Sequence, residues 1–315
     1  MNLVVFFLLC VSAALAQTQR PIAAPAKPAT PATVKTSQVS GFRGGPAIDA
    51  VILSAIREDR LPGAVVVVGH NDTIVYEKAY GNRALVPERE PMTLDTIFDV
   101  ASLTKVIATT SCVMKLVEQG KVRLNEKVTE YLPEFQQGQS DITVRHLLTH
   151  YSGMRPDLDL HPEWSGYETG ISKALVDKPT ASADSRFTYS DINFILLGEI
   201  VHRVGGKTLP EFARDEIFAP LGMQTTAFTP PQNWRSRIAP TEITKGQLLR
   251  GVVHDPTTRY MGGVAGHAGL FSTAADLSKF ARMMLGKGTA GNVQVFSPLT
   301  VATFTSPQSP MSGRD

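Results

Sequence analysis

Ser102-Leu103-Thr104-Lys105 sets a hydroxyl nucleophile and an amine base three positions apart. The serine stands between Phe98-Asp99-Val100-Ala101 and an apolar-periodic run, Val106-Ile107-Ala108 through Val113-Met114 to Leu116-Val117. That run predicts a buried helix ending near Gly120. A serine in the first turn of a helix faces unpaired backbone N–H groups and the positive end of the dipole. A lysine one turn on lies on the same face and can take the hydroxyl proton, which activates serine without histidine. The backbone N–H of Ser102 would supply half of an oxyanion hole. Alone, S-x-x-K is a weak signal, and the bland reading is an N-cap serine followed by a solvated lysine. Its weight comes from context.

A second group lies in Phe187-Thr188-Tyr189-Ser190-Asp191-Ile192-Asn193-Phe194, just before another helix-like run with Ile195, Leu196, Leu197, Ile200 and Val201. With both segments in view, the chain resembles the serine β-lactamase and penicillin-binding protein superfamily, in its class C and DD-peptidase branch. The resemblance extends through Ile142-Thr143-Val144-Arg145-His146-Leu147-Leu148-Thr149-His150 with Ser152-Gly153. It continues through Gly262-Gly263 and the block Gly269 to Leu277, and so covers about residues 46 to 290. It implies that Ser102 is acylated, that Lys105 activates it, and that Tyr189 assists proton transfer. Ser190-Asp191 also resembles an S-D-N element, but Ile192 stands where Asn would, so Tyr189 is preferred over Ser190.

The implied fold is α+β, an α/β sandwich with an antiparallel sheet flanked by helices and an inserted, mainly helical domain. The active site would lie between them. Pattern alone reaches only α+β.

Asp191 departs from the family pattern, which usually places Asn there to donate to a substrate carbonyl. An ionised carboxylate cannot donate, and it would pair with Lys105 instead. Esters or other acyl groups are therefore favoured over penicillin-type amides. Asn193 could replace the donor only if its turn faced inward, which is not expected. Asp191, His267 and Gly269 are the candidate substrate-binding residues. His267-Ala268-Gly269 mimics a third motif, but its Gly-rich block leads toward the helix expected over 276–285, so a loop-lining role is expected of it.

Other features are decoys. Gly206-Lys207-Thr208 is followed by Leu209 and lacks the upstream glycine of a Walker loop. No G-x-S-x-G elbow occurs. His146 and His150 stand four apart without the glutamate of a zinc protease, so they read as a packed helix face. No metal or organic cofactor is expected.

The 315 residues are 43% hydrophobic and 19% charged with net charge +2, which suits a soluble domain and gives no reason to expect nucleic acid. Residues 3–16 are apolar and end in Ala14-Leu15-Ala16, which reads as a secretory signal over 1–16 with no stable membrane insertion after cleavage. Its n-region lacks Lys or Arg. Cys10 is apolar filler there, and Cys112 is then a lone buried thiol without a disulfide partner. Residues 17–45 form a Pro/Ala-rich linker, and 46–315 the hydrolase domain. A helix is expected near 46–59 and strands over 64–69 and 73–80, joined at His70-Asn71-Asp72. The family would continue past Asp315 with further sheet strands, so the chain reads as C-terminally truncated.

Two functions follow. The first is a secreted or periplasmic serine acyl hydrolase (DD-carboxypeptidase, esterase or β-lactamase) acting on a small ester, a β-lactam or a cell-wall peptide. The second is a non-catalytic, degenerate or fragmentary ligand-binding member of the same fold, which Asp191 and the missing end would favour.

Overall fold

The computed structural model describes residues 42–135 and 141–308, together with the backbone of 6–10 and 37–38. The rest of the expected signal and linker lies outside the described residues.

Helix α1 (Gly45–Arg57) begins at a Gly-Pro pair, where proline's missing N–H costs nothing. Its buried Ile52 lies over one sheet, which runs in the order β1 (Phe6–Cys10), β3 (Gly63–His70), β4 (Thr73–Ala84) and β2 (Ser37–Gln38). A short β5 (Glu90–Pro91) also joins β4, and all pairings are antiparallel. The β3–β4 turn sets Asn71 at a φ of 54°, a left-handed position that asparagine tolerates. Gly63 to Val68 are all buried, because both faces of β3 are covered. Ala64, Val66 and Val68 pack with Ile52, Tyr76 and Tyr80, while Val65 and Val67 join the main core. Asp49 of α1 accepts from the hydroxyls of Tyr76 and Tyr80 and from Lys78, pinning the helix to β4.

A second sheet is built from β6 (Ile97–Asp99), β10 (Leu270–Thr273) and β7 (Ala227–Phe228). Two hairpins, β8 (Ile243–Thr244) with β9 (Gln247–Leu248) and β11 (Thr289–Ala290) with β12 (Val293–Gln294), complete the strands among the described residues.

After β6 the chain turns through Ala101, at a φ of 45°, into a π-helical turn, Lys105–Thr110, that continues as α2 (Ser111–Glu118). The expected nucleophile helix is thus present, with a widened first turn of the kind often found at functional sites. The helical region then runs through α3 (Val144–Thr149), α4 (Tyr167–Val176), α5 (Asp191–Gly205) and α6 (Leu209–Ala213). Helix α5 is the axis of the main core. Ile192 to Val201 are all buried, as a helix apolar around its circumference requires. Its one buried charge there, Glu199, is held by Arg203 and by the hydroxyl of Tyr167. Helices α7 (Pro256–Tyr260), α8 (Ala274–Leu285) and α9 (Pro298–Thr305) follow.

Thr273 caps α8, accepting from the N–H of Asp276 at 3.2 Å. One expectation is corrected here. The Gly-rich block does not lead directly into α8; it enters strand β10 first, and β10 pairs with the strand that carries the chain to Ser102. Cys112 is buried with a free thiol.

Candidate active site

Ser102 is exposed and Lys105 is 3% exposed, so the amine is sunk beneath a hydroxyl that solvent reaches. Lys105 Nζ donates to Ser102 Oγ at 3.1 Å. It also donates to the backbone oxygen of His267 at 3.1 Å and lies 2.7 Å from Asp191 Oδ1. The last contact is an ion pair rather than an aligned hydrogen bond, since Asp191 Oδ1 has no hydrogen-bond partner of good geometry.

Local structure explains the placement of the serine. Asp99 ends β6 and accepts from the N–H groups of Ala101 and His254, which fixes the strained Ala101 turn. Thr104 closes it, donating to Ala101 O at 2.6 Å and accepting from the N–H of Leu270 at 3.1 Å. Burial pushes the Asp99 carboxyl up, against its two backbone hydrogen bonds.

Tyr189 is 45% exposed, and its ring centre lies 4.8 Å from the Lys105 ammonium. Phe194 presents a second ring at 5.8 Å. Ser190, by contrast, is fully buried. It caps α5 through Asn193 N–H and donates to the carbonyl of Arg155 at 2.7 Å. Asn193 is also fully buried and accepts from Ser152 at 2.6 Å, so it faces the core.

His267 is 1% exposed. Its Nε2 lies 2.8 Å from Asp255 Oδ1 and 3.0 Å from Thr258 Oγ1. Burial would raise the Asp255 carboxyl, but the hydrogen bond and charge of His267 win and hold it well below the usual carboxylate range. Gly269 has a φ of 111°, and a Cβ there would stand 2.6 Å from Gly263 O, so its place is fixed by backbone packing.

Two residues escaped the sequence reading. Asp255, the N-cap of α7, carried no recognisable spacing to the serine. His150 was set aside with His146 as a packed helix face, yet the two rings do different work. His146 Nδ1 accepts from Thr143 N–H in a cap, and its Nε2 faces Asp184. His150 ends α3 at a φ of 61°, accepts from Ser190 N–H at 3.0 Å, and stacks on Tyr189 at 4.5 Å. Burial and then the nearby Lys105 charge push His150 down to about 4. Its one sequence signal was its place beside Ser152-Gly153.

A cavity of about 400 Å³ lies elsewhere, lined by Tyr167, Ile195, His202, Leu209 and Met261. It contains neither Ser102 nor Lys105.

Residues 48–314 match the family described as Beta-lactamase, which is most of the chain. The chain belongs to the beta-lactamase family. It is similar to an N-acetylmuramyl-L-alanine amidase of Bacillus subtilis (strain 168). That similarity is 33% identity over 282 residues, covering 78% of this chain and 64% of the relative. The chain thus spans less than two thirds of that relative's length. Among solved structures, a class C beta-lactamase from Rhodobacter sphaeroides superposes with a TM-score of 0.68 at 25% identity, covering 82% of this chain and 70% of the other. An octameric penicillin-binding protein homologue from Pyrococcus abyssi gives 0.69 at 25%, covering 84% and 60%. The beta-lactamase-family fold expected from the sequence is therefore the fold observed.

Proposed function

We propose that this member of the serine hydrolase family cleaves an acyl bond through a covalent intermediate on Ser102. The observation that carries the reading is the 3.1 Å contact between the buried Lys105 Nζ and the exposed Ser102 hydroxyl. In acylation, the Lys105 amine takes the hydroxyl proton as Ser102 Oγ bonds to the substrate's carbonyl carbon. The carbon–leaving-group bond then breaks, and Tyr189 relays the proton from Lys105 to the departing atom, which leaves both side chains as they began. A water molecule attacks the acyl-serine, releases the acid and restores the hydroxyl. The N–H of Ser102 supports the oxyanion in both steps.

The substrate class is set by Asp191, which offers no donor to an amide carbonyl. Esters of small acyl groups suit this site, with cell-wall peptides, the material implied by the amidase relative's name, as the alternative acyl source. Residues 1–16 serve as an export signal, which places the hydrolase in the periplasm or outside the cell. Cleavage after Ala16 would also remove the Phe6–Cys10 strand from the edge of β3. No helix among the described residues is long and apolar enough to cross a membrane.

The non-catalytic reading has one observation in its favour, the 2.7 Å ion pair that engages Lys105 with Asp191. A fluorophosphonate probe and a fluorescent penicillin decide between the two. An adduct mapped to Ser102 by mass spectrometry supports the hydrolase. Absence of labelling by both would leave the binding protein.

A further inference from the structure

Tyr189 stands on a segment that has little to hold it. Residues 186–190 form neither helix nor strand, and the Phe187 and Tyr189 side chains are 57% and 45% exposed. Solvent, not packing, covers the outer side of the phenol ring. A tyrosine that passes a proton must nevertheless keep its hydroxyl within hydrogen-bond reach of the departing atom. A misplacement of about 1 Å can cost about 10²-fold in rate.

His150 supplies three restraints on that segment. Its backbone oxygen accepts from the N–H of Thr188 at 2.9 Å, and its Nδ1 accepts from the N–H of Ser190 at 3.0 Å. The residues before and after Tyr189 are thus bonded to one histidine. Its ring lies against the Tyr189 ring between them, with centroids 4.5 Å apart and planes 31° from parallel. The left-handed φ of 61° turns His150 out of α3, and histidine is among the few residues other than glycine that tolerate it. The ring is buried, and Phe194 of α5 backs it at 5.2 Å. Nδ1 accepts only while it carries no proton. Burial and then the Lys105 charge favour that neutral ring, with Asp191 opposing.

We propose that His150 is the positioning residue for Tyr189, and that it thereby decides which leaving groups the site expels. This role rests on the acyl-transfer reading above, in which Tyr189 relays the proton. An alkoxide departs poorly unless it is protonated as the carbon–oxygen bond breaks, whereas a nitrophenolate departs without help. With the phenol held beside Lys105, the site accepts alkyl esters. With the phenol displaced, only activated esters remain good substrates.

The test compares kcat/KM for an ethyl ester and a nitrophenyl ester of the same acid, with the full chain. Tyr189→Phe should lower the ethyl-to-nitrophenyl ratio, and His150→Ala should lower it by about tenfold or more. His150→Asn keeps an acceptor for Ser190 N–H, and His150→Phe keeps the ring, so each should fall between His150→Ala and the parent. Adding His150→Ala to Tyr189→Phe should lower the ratio by no more than about twofold further, because the histidine acts through the phenol. His146→Gln, whose ring faces Asp184, should keep the parental ratio. Hydrogen exchange read by mass spectrometry checks the clamp without turnover: residues 186–190 should exchange faster in the His150 variants. If His150→Ala fails to melt cooperatively, the Asn and Phe variants carry both comparisons. Unchanged exchange, a level ratio in the folded His150 variants, or additive losses in the double variant overturns the proposal. If Tyr189→Phe itself leaves the ratio level, the proton-relay role of Tyr189 has failed, and the role of His150 falls with it.

Discussion

At the scale of single residues, the proposed nucleophile Ser102 and its base Lys105 form one unit, so removing either should stop the proposed reaction. Ser102→Ala should abolish labelling by a fluorophosphonate, and Lys105→Ala should slow it by about 10³-fold or more, read as the labelling rate constant. Labelling that survives Ser102→Ala would place the nucleophile elsewhere. Asp191 carries a different kind of prediction. Its carboxylate meets Lys105 at 2.7 Å, where an amide could pair with the lysine and also donate to a carbonyl. Asp191→Asn should therefore raise kcat/KM for amides or β-lactams relative to a simple ester. A ratio that stays level or falls means the side chain does not face the substrate.

Elements hold these residues in place through close backbone contacts. The Gly-rich loop runs against α5 so tightly that a Cβ on Gly266 would stand 1.8 Å from Phe194 O. Thr109 of the widened first turn also donates to Gly266 O, at 2.6 Å. Nucleophile helix, central helix and His267 loop therefore share one glycine. Gly266→Ala should cost about 3 kcal/mol by forcing the loop from α5. Because the same shift moves the His267 carbonyl away from Lys105, acylation should fall as well. Urea unfolding and probe labelling on one preparation check both. A stable variant with parental labelling would show that the loop relaxes without disturbing the site.

For the whole molecule, the buried ionisable groups set the response to acid. His150 falls from a reference of 6.5 to about 4 in the folded state, chiefly through burial. A depressed group stabilises the fold above its unfolded value and loses that contribution as pH drops toward its folded value. The His150 share is thus intact above about 6.5 and lost progressively toward 4. Asp255 is lowered and acts in the same sense at more acid pH, whereas Asp99 and Asp157 are raised by burial and oppose it. A direct comparison isolates the histidine. His150→Gln should show a shallower loss of urea midpoint between pH 6.5 and 4.5 than the parent. Parallel curves would mean that protonation of His150 is not coupled to unfolding.

The sequence by itself determined what depends on local spacing. Ser102 and Lys105 share a face because they are one turn apart. A helix follows Tyr189 because the run from Ile195 to Val201 is apolar, and β3 is legible because its valines form an unbroken apolar run. The resemblance carried by those segments led to the same beta-lactamase-family fold that the structure shows. Tertiary structure alone decided what depends on contacts between distant segments. Asp255 reaches the site only because α7 packs beside the Gly-rich loop, and no spacing from Ser102 encodes that. His267 was visible, but the strand after it was not. Four residues, Leu270 to Thr273, carry too short a pattern to be separated from the helix that follows, and only pairing with β6 makes them a strand. His150 was misjudged for a related reason. An i,i+4 spacing puts two side chains on one face only while the helix continues, and the left-handed turn at His150 ends it, sending that ring to Tyr189 and the ring of His146 to Asp184.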